Sequence, residues 1–282
     1  MNLDNYSNEQ SFWAISMRKR LANPRLDRPS RTMKSLFIHA LLLFGLAQVS
    51  LAQHIVFLIG EREYKTAESL PAYFESDLKP AGFTATFITA PPEGEAKNDF
   101  PGLEEALAKA DLCLVSVRRR APKSSQMAAL KAFANAGKPI VGIRTSSHAF
   151  HLGGKEVPEG HALWEEFDPV VLGGNYHGHY GNEPAPISIA KGAGSHPILA
   201  DIGELAPTSK LYRAAPLAEK AQALLFATVE GKEPEPVAWT HTFGPNNARI
   251  FYTSLGLADE FANPEFRKFL TQAILWALND PA

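Results

Sequence analysis

Four short apolar runs, each separated from the next by a helical segment, restrict this chain more than any other feature. HIVFLIG (54–60) is continuously apolar and ends in Gly, the pattern of a strand buried on both faces. The segment 67–81, AESLPAYFESDLKPA, then sets Leu70, Phe74 and Leu78 at helical spacing. FTATFITA (83–90) reads as a second strand, followed by a Pro/Glu/Gly loop and a short helix over 103–110. DLCLVSV (111–117) is the third strand, SSQMAALKAFANAG (124–137) a helix stopped by Gly137, and PIVGIRT (139–145) the fourth strand. Strands alternating with helices in this way make βαβ units. The fold class is therefore α/β, a single flavodoxin-like three-layer sandwich with a mostly parallel sheet.

Beyond residue 150 the pattern loosens, with frequent Gly, Pro and His from 153 to 197 and one strand at PISIA (186–190). Strands return at ALLFATVE (223–230), PVAWTHTF (236–243) and ARIFYTSL (248–255), the last two joined by the turn GPNN. An amphipathic helix over 264–280, opened by Pro264, closes the chain. There is no internal repeat and no linker.

The N-terminal region reads differently. Residues 33–52 hold Met33, one Lys, an apolar run and the small-residue ending Ser50-Leu51-Ala52, the pattern of a secretory signal peptide. The run is shorter than the roughly 20 residues a membrane span needs. No stable membrane insertion is expected, and the protein is expected to be exported, to the periplasm or beyond. Residues 1–32, polar and aperiodic, are expected to precede a true start at Met33 or to form a disordered extension. The domain is then 53–282. It carries 21 basic and 27 acidic residues, a balance that argues against a nucleic-acid partner. The single cysteine, Cys113, falls inside an apolar strand and reads as core.

In a doubly wound sheet, ligands bind beyond the carboxyl ends of the strands. Those ends carry Glu61, Glu63 and Tyr64 after the first strand, and Arg118, Arg119 and Arg120 after the third. Arg144, Ser146, Ser147, His148 and His151 follow the fourth, and His241 stands near the end of a late strand. Arg144 follows a buried strand directly, so it needs a partner; Glu61 or Glu63 is the expected one. In GGNYHGHYG (173–181), His177 and His179 stand two apart between Tyr176 and Tyr180. That spacing suits a divalent metal such as Zn²⁺, although no third ligand is evident. No G-x-S-x-G elbow exists for a nucleophilic serine.

The runs KPIVGIRTSSHAF, LGGNYHGHYG and PVAWTHTFGPNNARIFYTSLG, with the closing helix NPEFRKFLTQAILWAL, resemble the trehalose-utilisation (ThuA-like) family of the class I glutamine amidotransferase-like superfamily. The resemblance spans about 54–280. It implies an amidotransferase-like sandwich in which Arg144 stands where amidotransferases carry their Cys nucleophile, so the protein is not a glutamine amidotransferase. It also implies an exported protein of carbohydrate catabolism, acting on a sugar or keto-sugar as a hydrolase or as a lyase or isomerase. In that enzyme His148, His177, His241 and Glu61 do acid–base work, and Arg144, Tyr64, Glu63, Arg118, Tyr176 and Tyr180 bind substrate. The alternative is a non-catalytic carbohydrate-binding or accessory protein. The expected partner in both readings is a small carbohydrate, and a homo-oligomer is compatible with either.

Overall fold

The computed structural model describes residues 52–91 and 93–278; the signal peptide expected at 33–52 and the extension expected before it lie, but for Ala52, outside the described residues. Each apolar run becomes a strand: β1 (His54–Gly60), β2 (Thr84–Thr89), β3 (Leu112–Val117) and β4 (Ile140–Ile143). After a long excursion come β5 (Ile187–Ile189), β6 (Gln222–Ala227), β7 (Glu235–Phe243) and β8 (Ala248–Thr253). They form one eight-stranded sheet in the order β2-β1-β3-β4-β8-β7-β6-β5.

Only half of that sheet follows the parallel pattern. β2, β1, β3, β4 and β8 run parallel, whereas β8–β7, β7–β6 and β6–β5 pair antiparallel. The expected mostly parallel sheet is thus a mixed one. The reason is local: a short turn can join only antiparallel neighbours, and GPNN forces β7 and β8 into a hairpin.

Helices cover both faces, as alternate residues of two-sided strands demand. Ile55, Phe57 and Ile59 of β1 face α1 (Thr66–Tyr73), which continues as a π-helical turn over Phe74–Leu78. Val56 and Leu58 face the opposite layer, built on α2 (Leu103–Lys109) and α3 (Ser124–Asn135). Gly137, at φ +86°, ends α3 in the left-handed conformation that favours glycine. The short α4 (Ala258–Ala262) precedes α5 (Pro264–Leu278). The Asn263 side chain accepts the Glu265 N–H at 2.9 Å and so caps α5. Phe266, Phe269, Leu270, Ala273, Ile274 and Ala277 form its buried stripe and join the α1 side of the core. This is the three-layer sandwich expected. Among the described residues no helix is long and apolar enough to cross a membrane.

Candidate functional site

The strand order 2-1-3-4 places a topological switch point between β1 and β3, where the chain leaves β1 toward opposite sides of the sheet. A cleft of about 670 Å³ opens there. Its walls are Glu61, Arg62 and Glu63 after β1, Glu93, Gly94 and Lys97 after β2, and Arg118 and Arg120 after β3. Its size suits a small ligand. Beside it, over the end of β4, lies a second cluster that carries the buried chemistry.

Arg144 begins that cluster. It is 1 % exposed and sits at φ +47° where β4 turns into a 3₁₀ turn, Arg144–His148. A strand ending in one strained residue followed by a helical turn is the geometry of a nucleophile elbow. Here the elbow holds a guanidinium. The expected partner, Glu61 or Glu63, is not the one it takes. Nη1 donates to the Ser254 carbonyl at 2.6 Å and Nη2 to the Lys210 carbonyl at 3.4 Å. The guanidinium lies between two rings, 4.7 Å from the Tyr64 centroid and 4.4 Å from that of Tyr212. Desolvated cation–π contacts of this kind are worth about 2 kcal/mol each. Carbonyls and ring faces thus do what a carboxylate was expected to do.

The two carboxylates are engaged elsewhere. Glu61 Oε2 accepts the Tyr64 N–H at 2.8 Å, and Oε1 accepts the Thr66 N–H at 2.8 Å and the Thr66 hydroxyl at 2.5 Å. Glu61 therefore fixes the loop that starts α1, which leaves it poorly placed to act as a free base. Glu63 pairs with Arg118 at 3.2 Å, both side chains about two-fifths exposed. Such exposed pairs contribute little and yield easily to a ligand.

His148 is 2 % exposed, and its Nδ1 is buried without a hydrogen-bond partner among the described residues. Burial, then the Arg118, Arg119, His151 and Arg144 charges, push its pKa down to about 3. It is a neutral imidazole at every physiological pH. Its ring lies 4.4 Å from that of Tyr176 and 5.7 Å from that of Tyr212. Tyr176 donates to or accepts from His179 Nδ1 at 2.9 Å, and the His179 ring is 6.4 Å from Tyr212.

What brings these loops together is a short antiparallel pairing of 177–185 with 208–213. It is marked by Tyr180 N–H donating to Leu211, Arg213 N–H to Gly178 and Ala185 N–H to Thr208. Of the expected site residues, Arg144, Tyr64, His148, Tyr176 and His179 gather in this cluster, while Glu63 and Arg118 stand at its edge. Tyr180 instead packs on the α1-side core, beneath Arg213. His177 is exposed, held through its backbone to Arg213. The His177/His179 pair finds no third ligand: among the described residues no three His, Cys, Asp or Glu side chains converge.

His241 is the clearest correction. β7 runs antiparallel, so its carboxyl end lies at the opposite edge of the sheet. His241 pairs with Ile250, which pairs with Ile140, the first residue of β4. Three residues of strand, about 10 Å, separate that level from the end of β4. There His241 packs under Gly173, and its Nδ1 is buried without a hydrogen-bond partner among the described residues.

Two residues of the site escaped sequence reasoning. Tyr212 covers Arg144 and His148 from a segment with no periodicity. Asp168, 2 % exposed, approaches His151 at 3.7 Å. A lone tyrosine and a lone aspartate in an irregular loop give no pattern to read.

The serines and the thiol complete the inventory. Ser147 Oγ accepts from or donates to the Tyr252 hydroxyl at 2.9 Å, Ser146 is wholly buried, and burial pushes Cys113 up to about 12. None of them presents an activated nucleophile.

The fold and site thus define an amidotransferase-like α/β sandwich with a switch-point cleft and an elbow that carries no nucleophile. The chain belongs to the ThuA family, described as trehalose utilisation, whose family model matches residues 61–277. Among solved structures it is similar to a ThuA-like protein from Parabacteroides merdae at 14 % identity and a TM-score of 0.60, covering 81 % of this chain and 90 % of that one. It is also similar to a cold-adapted β-galactosidase from Rahnella sp. R3 at 14 % identity and a TM-score of 0.52. That match covers 89 % of this chain but only 35 % of the galactosidase. At these identities both likenesses describe the fold. No curated protein matches the chain.

Proposed function

We propose that this protein is an exported enzyme that binds a sugar or keto-sugar at the β1/β3 switch point and acts on it without a covalent acyl or thiol intermediate. The observation that carries the reading is His148: a buried, neutral imidazole with an unpartnered nitrogen, its ring tilted against Tyr176 beside a cleft lined by carboxylates and guanidiniums. Paired charges of both signs suit vicinal hydroxyls, which donate and accept at once. A neutral imidazole hydrogen-bonds a hydroxyl or keto oxygen without gaining charge. Tyr176, half-buried, offers a ring against which a sugar face packs. Membership of a trehalose-utilisation family supports a carbohydrate ligand, and the pattern of residues 33–52 supports export.

The test is a screen of native and oxidised (keto) disaccharides with the purified domain, by calorimetry and by product analysis, against His148→Ala. Turnover that falls at least about 10²-fold in the variant, with its fold intact, supports an enzyme. Sugar binding without turnover in the parent favours the non-catalytic carbohydrate-binding reading, for which the absence of any activated nucleophile at the elbow already speaks. No binding of any sugar refutes both.

A further inference from the structure

Among the described residues, Asp168 is a buried carboxyl near the site that the reading above leaves without a role. It opens the π-helical turn Asp168–Leu172, on the α3 side of the sheet. Its Oδ1 has no hydrogen-bond partner among the described residues, and its Oδ2 faces His151 Nε2 at 3.7 Å. A fully buried carboxyl with an idle oxygen is costly unless it serves something. His151, by contrast, is about one-third exposed and lies three residues past the end of the Arg144–His148 turn. The ring thus turns Nε2 toward the buried acid while about a third of the side chain meets solvent.

Proton inventory sharpens the contrast. His148 carries no acidic proton near neutral pH, because burial and the surrounding arginines hold it neutral. Burial raises the Tyr176 hydroxyl above its ordinary range, which makes it a weaker acid. Burial pushes Asp168 up to about 8, partly opposed by the Ala149 N–H, so its carboxyl keeps a proton at neutral pH. His151 is lowered by burial and then by Arg119, against the pull of Glu165. Groups whose environments drive their pKa values apart mark acid and base roles.

We propose that His151 and Asp168 form the proton-donor pair of this site, with His151 delivering a proton to a sugar oxygen and Asp168 replacing it. The proposal rests on the sugar-acting reading. In the step, the His151 Nδ1–H bond breaks as the substrate O–H forms, while the Asp168 O–H bond breaks as His151 Nε2–H forms. The imidazole ends neutral in its other tautomer, Asp168 ends as carboxylate, and the substrate oxygen gains the proton. Solvent returns a proton to Asp168 through the partly exposed ring. The 3.7 Å separation must close by about half an ångström, as catalytic contacts do when a ligand binds. Arg119, His148 and Glu165 are the charged or titratable groups acting on His151, and Asp168 in turn acts on the buried Tyr252.

Asp168→Asn is the test variant, since an amide replaces a carboxyl that is already neutral at pH 7. Ring-proton NMR of His151 across pH 4–10 should show an alkaline step in the parent that vanishes in the variant. Sugar turnover should fall about 10²-fold and lose its decline at alkaline pH. An unchanged His151 titration, or turnover at the parent's rate and profile, overturns the proposal. Should Asp168→Asn fail to fold, His151→Gln, at a partly exposed position, must show the same loss of turnover. If the parent turns over no sugar at all, the sugar-acting reading fails and the donor role with it. The NMR comparison then still reports whether the pair shares a proton.

Discussion

Replacing Arg144 by Gly and, separately, by Ala isolates the strain at the elbow. Both substitutions remove the same guanidinium, with its bonds to the Ser254 and Lys210 carbonyls and its contacts with Tyr64 and Tyr212. Both variants should therefore be less stable than the parent, by about 1–3 kcal/mol for the buried Ser254 acceptor left unpaired. They differ only in the backbone. At φ +47° an alanine pays about 1–2 kcal/mol that glycine does not. Glycine's greater freedom in the unfolded chain offsets about 0.5–1 kcal/mol of this. The Gly variant should thus be the more stable by about 0.5–1 kcal/mol, or about 1–4 °C in Tm for a domain of this size. Urea unfolding followed by circular dichroism, with equal slopes in the two variants, measures the difference. If the Ala variant matches or exceeds the Gly variant, residue 144 is not held in the left-handed region and no elbow has been retained.

The pH dependence of stability tests the buried groups. Asp168, raised to about 8 in the fold, contributes stability that is present below its unfolded pKa and is lost as pH rises toward 8. His148, lowered to about 3, contributes stability that is present above about 6.5 and is lost as pH falls. The two slopes oppose each other between about pH 4 and 6.5 and leave Asp168 alone above that, so Asp168→Asn should flatten a decline between pH 6.5 and 9; an unchanged decline removes Asp168 as its source. Gly174→Ala would bring a Cβ to 2.4 Å from the Trp239 ring, which is fixed by its Nε1–H bond to Leu172 at 2.6 Å. Overpacking of about 1–3 kcal/mol should appear in urea unfolding, and a neutral result would mean the ring is free to move. His177→Ala, at an exposed side chain, should change stability by less than about 0.5 kcal/mol and leave sugar turnover unchanged; lost turnover would return His177 to the site.

The N-terminal half of the fold was legible because strands buried on both faces must be continuously apolar, and HIVFLIG and DLCLVSV admit few other readings. The hairpin of β7 and β8 was equally legible in GPNN, yet its consequence for His241 was missed: reversing one strand moves its carboxyl end to the far edge of the sheet. Arg144 was read correctly as a buried charge at a strand end. Its partners were not, since backbone carbonyls and ring faces leave no signature among charged residues. Glu61 hides its loop contacts for a related reason. A carboxylate that ties down its own loop looks, in sequence, like one that is free. Tyr212 and Asp168 reach the site through segments without periodicity, where only tertiary pairing gives them a direction.

The position of β8 has a bearing on how the chain is made. Among the described residues it follows the seven other strands in the chain, yet it lies in the interior of the sheet, bonded to β4 on one side and to β7 on the other. Until it arrives, β4 and β7 are both open edges, each paired on one side only. The pairing of Ile140 with Ile250 joins residues far apart in the chain, a slow step for a growing polypeptide. Within the described sheet, β1–β4 therefore cannot complete their native pairing ahead of β8. A ribosome that stops before Ala248 releases two half-sheets with exposed hydrogen-bonding edges, prone to pair with one another's copies rather than to persist as a smaller protein.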